Sequence, residues 1–155
     1  MKMRKRIILL ILMICITGIY GGGIEVNAQE GEDMDFSYLL TDNALIGYME
    51  GQTRGIYLAE GTSVINKISS TKIGAGGVTS AAVKCEVSIT SIVERQTSTG
   101  WAFVTAWTQT NENAYSAMIS KSLSVGSGYW YRVRSSHYAA SDASSSCTSS
   151  LYVGE

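Results

Sequence analysis

The sequence predicts an all-β protein built as an antiparallel β-sandwich. Three observations predict it. Apolar and polar residues alternate with a period of two through several segments, turn signals recur about every ten residues, and no segment carries the apolar stripe of an amphipathic helix. β-branched residues dominate the alternating segments, as suits a pleated, half-buried surface.

The chain of 155 residues opens MKMRKRIILLILMICITGIYGGGIEVNAQE. Lys2, Arg4, Lys5 and Arg6 form a basic head, residues 7–19 are an apolar run short for a bilayer span, and Gly21, Gly22 and Gly23 interrupt any helix. Val26, Asn27 and Ala28 then supply a cleavage signal, so residues 1–28 are expected to be a secretory signal peptide; the alternative is an uncleaved membrane anchor. Bulky Leu12, Met13 and Ile14 before Cys15 do not fit a lipoprotein signal. Residues 29–37, QEGEDMDFS, are acidic and poor in apolar side chains, the composition of a flexible linker. Residues 38–155 make up a single sandwich domain.

Within that domain, residues 38–61 break their apolar clusters with Gly, Asp and Asn and are expected to hold short extended pieces and turns. Val64, Ile68 and Ile73 follow in a Ser/Thr-rich context, and GAGG at 74–77 reads as a loop. In AAVKCEVSITSIVERQ, Val83, Cys85, Val87, Ile89 and Val93 share one parity, which predicts a half-buried strand. TSTG at 97–100 predicts a turn, after which Trp101, Phe103 and Trp107 are expected on one face of a second strand. NEN at 111–113 reads as punctuation before a third strand with Tyr115, Ala117, Ile119, Leu123 and Val125 in phase. GSG at 126–128 turns the chain into YWYRVRSSHYA, where Tyr129, Tyr131 and Val133 face inward and Trp130, Arg132 and Arg134 outward. The last strand, CTSSLYV, places Cys147, Leu151 and Val153 on one parity.

Loss of the leader removes four basic residues and one acidic one, leaving a mildly acidic domain with scattered basic side chains. Such a domain has no electrostatic footprint for nucleic acid. Cys85 and Cys147 remain in a chain bound for an oxidising compartment, and a disulfide between them is expected in preference to two separate thiols. It would stabilise the fold by roughly 4 kcal/mol on the chain-entropy model.

RGIYLAEGTSVINKISSTKIGAGGVTSA, SIVERQTSTGWAFV and GYWYRVRSSH, with the Ser/Thr-rich last strand, resemble a family of small secreted proteins of Gram-positive bacteria known only as a domain of unknown function. The resemblance runs over about residues 38–153 and implies secretion from a member of the Bacillota. It implies no activity, cofactor or catalytic residue. The Y.YRVR stretch is also similar to the penultimate strand of fibronectin type III and other immunoglobulin-like sandwiches, a likeness that bears on fold alone.

The residues offer little for catalysis. His137 is the sole histidine, so neither a histidine-rich zinc site nor a two-histidine acid–base pair is available. There is no G-x-S-x-G elbow, and the acidic residues show no spacing that pairs two across a cleft. GAGG lacks the lysine of a phosphate loop. No catalytic residue, metal site or cofactor is assigned. The candidate site is an exposed stripe of Trp130, Arg132, Arg134 and Tyr138, because flat amphipathic rings beside arginines serve as platforms for sugars and anchors for proteins. The same residues also suit a plain sheet face over which arginines lie. The leading expectation is a secreted, non-enzymatic binding module for a cell-wall glycan or an extracellular protein. A small secreted hydrolase and a self-associating extracellular protein are the alternatives.

Overall fold

The computed structural model describes residues 41–49 and 55–155. The signal peptide and acidic linker expected at 1–28 and 29–37 lie outside the described residues. Seven antiparallel strands form one sheet: β1 (Leu45–Tyr48), β2 (Leu58–Ser69), β3 (Lys72–Thr97), β4 (Gly100–Ser124), β5 (Tyr129–Ala139), β6 (Asp142–Cys147) and β7 (Leu151–Val153). Among the described residues there is no helix. The all-β, antiparallel expectation holds, and the two layers expected of a sandwich take the form of a single sheet folded over on itself.

The fold is organised by β3. Its first half pairs with β2, Ala75 opposite Ile65, and its second half with β5, Val93 opposite Val133. Along both halves the opposite edge pairs with β4, from Lys72 opposite Ser124 to Thr97 opposite Gly100. Between the partners Ser80–Ser116 and Cys85–Ala114 the register shifts, and β3 contributes residues 81–84 where β4 contributes only Tyr115. Extra residues in one strand bend it and raise its twist. Asn113, at a φ of 48°, turns β4 through the same place. The consequence is visible in the core: Ser63, whose β3 partner is Gly77, hydrogen-bonds through its hydroxyl to Ser135, whose β3 partner is Ser91, at 2.8 Å. A straight strand from Gly77 to Ser91 would run roughly 45 Å, so the bend brings the two halves face to face.

The free edges then meet. Met49, just past β1, bridges Ser146 in β6. Gly47 lies so close to the Cys147 carbonyl that a Cβ would collide with it. This seam brings the leaves nearly into a closed, barrel-like shape. Asp142 at the start of β6 accepts the Tyr57 and Leu58 backbone N–H groups at 2.6 and 3.0 Å, fixing the entry to β2.

The core has two apolar ends. Ile65, Ile73, Val93, Tyr131, Val133 and Val153 fill one, and Val87, Ile89, Ala117, Ile119 and Ala139 the other. Trp107 packs against both. Each valine or isoleucine taken fully out of water contributes about 1.5–3 kcal/mol.

GAGG is the interior of β3, where Gly77 opposes Ser63 and a Cβ would strike the Thr62 carbonyl; close backbone approach, not a loop, requires the glycine. NEN lies within β4 at the bend rather than between strands. A register shift between Val93–Thr105 and Glu94–Phe103 leaves Val104 extra, so Phe103 points to solvent while Trp107 points inward. Tyr115 is exposed although Ala117 and Ile119 are buried, because the bend interrupts their phase.

Cys85 and Cys147 form no disulfide. Cys147 stands opposite Arg134, which stands opposite Ile92, whereas Cys85 stands opposite Ala114 at the bend. Cys85 and Ile92 are separated by roughly 20 Å of strand, far beyond the Cα spacing of about 7 Å that a disulfide tolerates.

Candidate functional site

The alternation read in β5 is realised. Tyr131, Val133, Ser135, His137 and Ala139 are buried, and Trp130, Arg134 and Tyr138 are exposed, with Arg132 between. Tyr129, expected inward, is exposed at the strand start with the Arg95 guanidinium 4.6 Å from its ring centre.

On the outward face, Glu94 of β3 lies beside Arg132, its register partner. Arg132 Nε donates to Glu94 Oε2 at 2.7 Å, and Arg134 Nη2 donates to Oε1 at 3.1 Å. The Arg132 guanidinium also sits 4.2 Å from the ring centre of Trp101 on β4. One carboxylate thus orders two guanidinium groups, and an indole fixes the plane of one of them. On the other side of β5, Trp130 pairs with Tyr152 of β7, ring centroids 5.4 Å apart and tilted by 55°. Phe103, the partner of Glu94 on β4, extends the aromatic surface.

The structure therefore brings together Trp130, Arg132 and Arg134 and leaves Tyr138 apart. Tyr138 lies roughly 25 Å along the strand from Trp130, beside Ser88 and Ala143. Sequence reasoning missed Glu94, Trp101, Phe103 and Tyr152. The parity of Glu94 already placed it outward, but its register against Arg132 was not readable. Trp101 and Phe103 were assigned to the face of Trp107 because the bulge at Val104 has no sequence mark.

The inward face of β5 holds a buried polar chain. Ser135 Oγ meets Ser91 Oγ at 2.9 Å and accepts from Ser63 Oγ at 2.8 Å; Ser63 and Ser146 hydroxyls lie 2.6 Å apart; Ser146 Oγ is 2.7 Å from His137 Nε2, and Thr79 Oγ1 is 2.8 Å from His137 Nδ1. With Ser63 donating to Ser135, Ser146 must donate to Ser63, His137 Nε2–H to Ser146, and Thr79 to Nδ1. This assigns the Nε2–H tautomer of a neutral ring. Burial lowers the His137 pKa from 6.5 to about 4. The ring rests against Gly61, where a Cβ would occupy the space of the imidazole. Among the described residues no buried side-chain polar atom lacks a partner.

A serine on a histidine that is oriented by a third hydroxyl is the arrangement of a nucleophile with its base. Here Ser146 Oγ points between the leaves, with its oxygen already engaged by Ser63, and His137 is wholly buried. Among the described residues no three His, Cys, Asp or Glu side chains converge as metal ligands.

Residues 32–152 match the model of a family described as a family of unknown function, DUF6147. No curated protein matches the chain.

Proposed function

Since the chain belongs to the DUF6147 family, whose description assigns no function, we propose that it is a secreted bacterial binding module of Gram-positive origin, non-enzymatic, acting outside the cell or at its surface on a glycan or a protein. The observation that carries this reading is the ordered aromatic and arginine surface. Trp130, Tyr152 and Phe103 are exposed as rings on a rigid sheet, while Glu94 and Trp101 hold Arg132 in place before any ligand arrives. Pre-ordered side chains lose less entropy on binding. Strand-borne rings also present area at low entropic cost. Tyr138 belongs to a separate patch and is a secondary contact at most.

The likeness to immunoglobulin-like modules is supported by one further detail. The buried Tyr131 hydroxyl donates to the Gly126 carbonyl at 2.9 Å, a bond from a strand-start tyrosine back to the preceding corner. A hydrolase finds its nearest chemistry in the His137–Ser146 pair, which faces the closed core. Self-association draws on β4, whose outer edge has no strand partner among the described residues.

Tryptophan fluorescence and pull-down against cell-wall fractions, a glycan panel and extracellular proteins test the proposal. Saturable binding that Trp130→Ala abolishes without unfolding the protein is the expected result. Binding that Trp130→Ala leaves intact moves the site elsewhere.

A further inference from the structure

We propose that the ligand of the Trp130 face is an acidic polysaccharide, its sugar rings stacking on Trp130 and Tyr152 and a carboxylate or sulfate group held by Arg134. This rests on the binding reading above and adds the chemical class.

The two arginines differ in what holds them. Among the described residues Glu94 is the carboxylate that pairs with both guanidinium groups, one anion against two cations, on a chain that is acidic overall. Arg132 is spent on structure, bonded through Nε and stacked on Trp101. Arg134 is not. Its side chain is 51% exposed and, among the described residues, hydrogen-bonds only Glu94, through one of its five N–H donors. It also lines a shallow hollow of about 100 Å³ with Ser145, Ser146 and Cys147. Charge-assisted N–H bonds from a guanidinium to a carboxylate or sulfate are among the stronger hydrogen bonds, so the remaining donors of Arg134 suit an oxyanion.

Geometry links this anion position to the rings. Trp130 and Arg134 share the outward face of β5 roughly 13 Å apart, a distance that one extended polymer chain bridges with units in between. The tilt between Trp130 and Tyr152 offers two ring faces rather than a single plane. A nucleic acid would use similar stacking but needs a basic groove that tracks its backbone. One surplus charge does not provide it.

The test is a fluorescence titration of the purified protein with polygalacturonate and its methyl-esterified form, with dextran sulfate and dextran, and with a single-stranded oligonucleotide. Each pair keeps the sugar backbone and changes only charge. The acidic member of at least one pair is expected to bind roughly ten-fold more tightly than its neutral counterpart at low salt, as one charge-assisted contact provides. Arg134→Gln should erase that preference and its salt dependence, whereas Trp130→Ala should weaken both members of the pair. Preference within the first pair alone identifies a carboxylate, and within the second alone a sulfate. Equal binding of acidic and neutral forms that still needs Trp130 overturns the acidic class and leaves the platform. Tighter binding of the oligonucleotide overturns the saccharide. No binding to any probe overturns the acidic-polysaccharide class and leaves the wider binding reading to the pull-down above, and binding indifferent to Trp130→Ala overturns this face as the site.

Discussion

Tyr131, Val133, Ser135 and His137 lie between the leaves of the sheet, while Trp130, Arg132 and Arg134, their immediate neighbours along β5, face outward. The inward row changes character along its length. Tyr131 and Val133 pack against apolar partners at one end, and Ser135 and His137 join hydroxyl groups from β2, β3 and β6 at the other. The outward row touches few residues and keeps its rings and guanidinium groups accessible. One strand thus carries the core on one face and the proposed recognition surface on the other, and the two should be separable by mutation.

The largest separation is expected between adjacent residues. Tyr131→Ala removes a fully buried ring and its bond to Gly126, and should cost about 3–5 kcal/mol. Trp130→Ala, half exposed, should change stability by less than about 1 kcal/mol while removing the platform. Urea denaturation of the two variants measures both; a costlier loss at Trp130 would mean that the two faces are reversed.

The polar end of the inward row should reveal itself through pH. His137 takes up its proton at an ordinary 6.5 when unfolded and only near 4 when folded, because burial disfavours the charged ring. Between those values the unfolded chain binds more protons. Stability is therefore full above pH 6.5 and declines as the pH falls toward 4, by on the order of 3 kcal/mol. With one histidine in the chain, denaturation midpoints at pH 7 and pH 5 isolate the effect from the carboxylates. A His137→Gln variant should lose the decline over that range, and an unchanged decline would assign it to other groups.

A smaller effect, about 1–3 kcal/mol, is expected of Gly61→Ala. The new methyl group would displace the His137 ring from Thr79 and Ser146. Because the ring would then be less buried, the variant should also show a weaker pH dependence between 7 and 5. Lower stability with the full pH dependence would mean that β2 shifts instead of the imidazole.

Much of this arrangement was legible where a strand runs without interruption. The period of two assigned β5 because no bulge intervenes between Trp130 and Tyr138. It failed wherever a register shift intervened. The extra residue at Val104 separates Phe103 from Trp107, the excess at 81–84 bends β3, and neither leaves a compositional trace. GAGG misled for a different reason: glycine marks a loop and a close strand approach equally well, and only the position of Thr62 distinguishes them. The buried serines were the least legible. Ser91 and Ser135 share the parity of inward residues, but a serine's burial depends on having a partner, and the members of this chain, Ser63, Ser91, Ser135 and Ser146, come from four different strands. The outward site was legible only in part for the same reason, since Glu94, Trp101 and Tyr152 reach it from three other strands.

The smallest expected effect concerns the cysteines, and it tests the bend in β3. Counting parity through CTSSLYV aligned Cys147 with Val153, but residues 148–150 interrupt the strand. Thr148 is turned inward there, its N–H donating to the Val133 carbonyl at 2.9 Å and its Oγ1 accepting from the Val133 N–H at 3.0 Å. The interruption leaves Cys147 outward beside Arg134, and the bend leaves Cys85 on another part of β3. Reductant should therefore change neither the intact mass nor the melting temperature. Under native conditions, an alkylating reagent should modify exposed Cys147 faster than half-buried Cys85. A two-proton mass difference on reduction, with a lowered melting temperature, would require the two residues to adjoin. That would place the turning point of β3 nearer Ile92 and reorder both faces of β5.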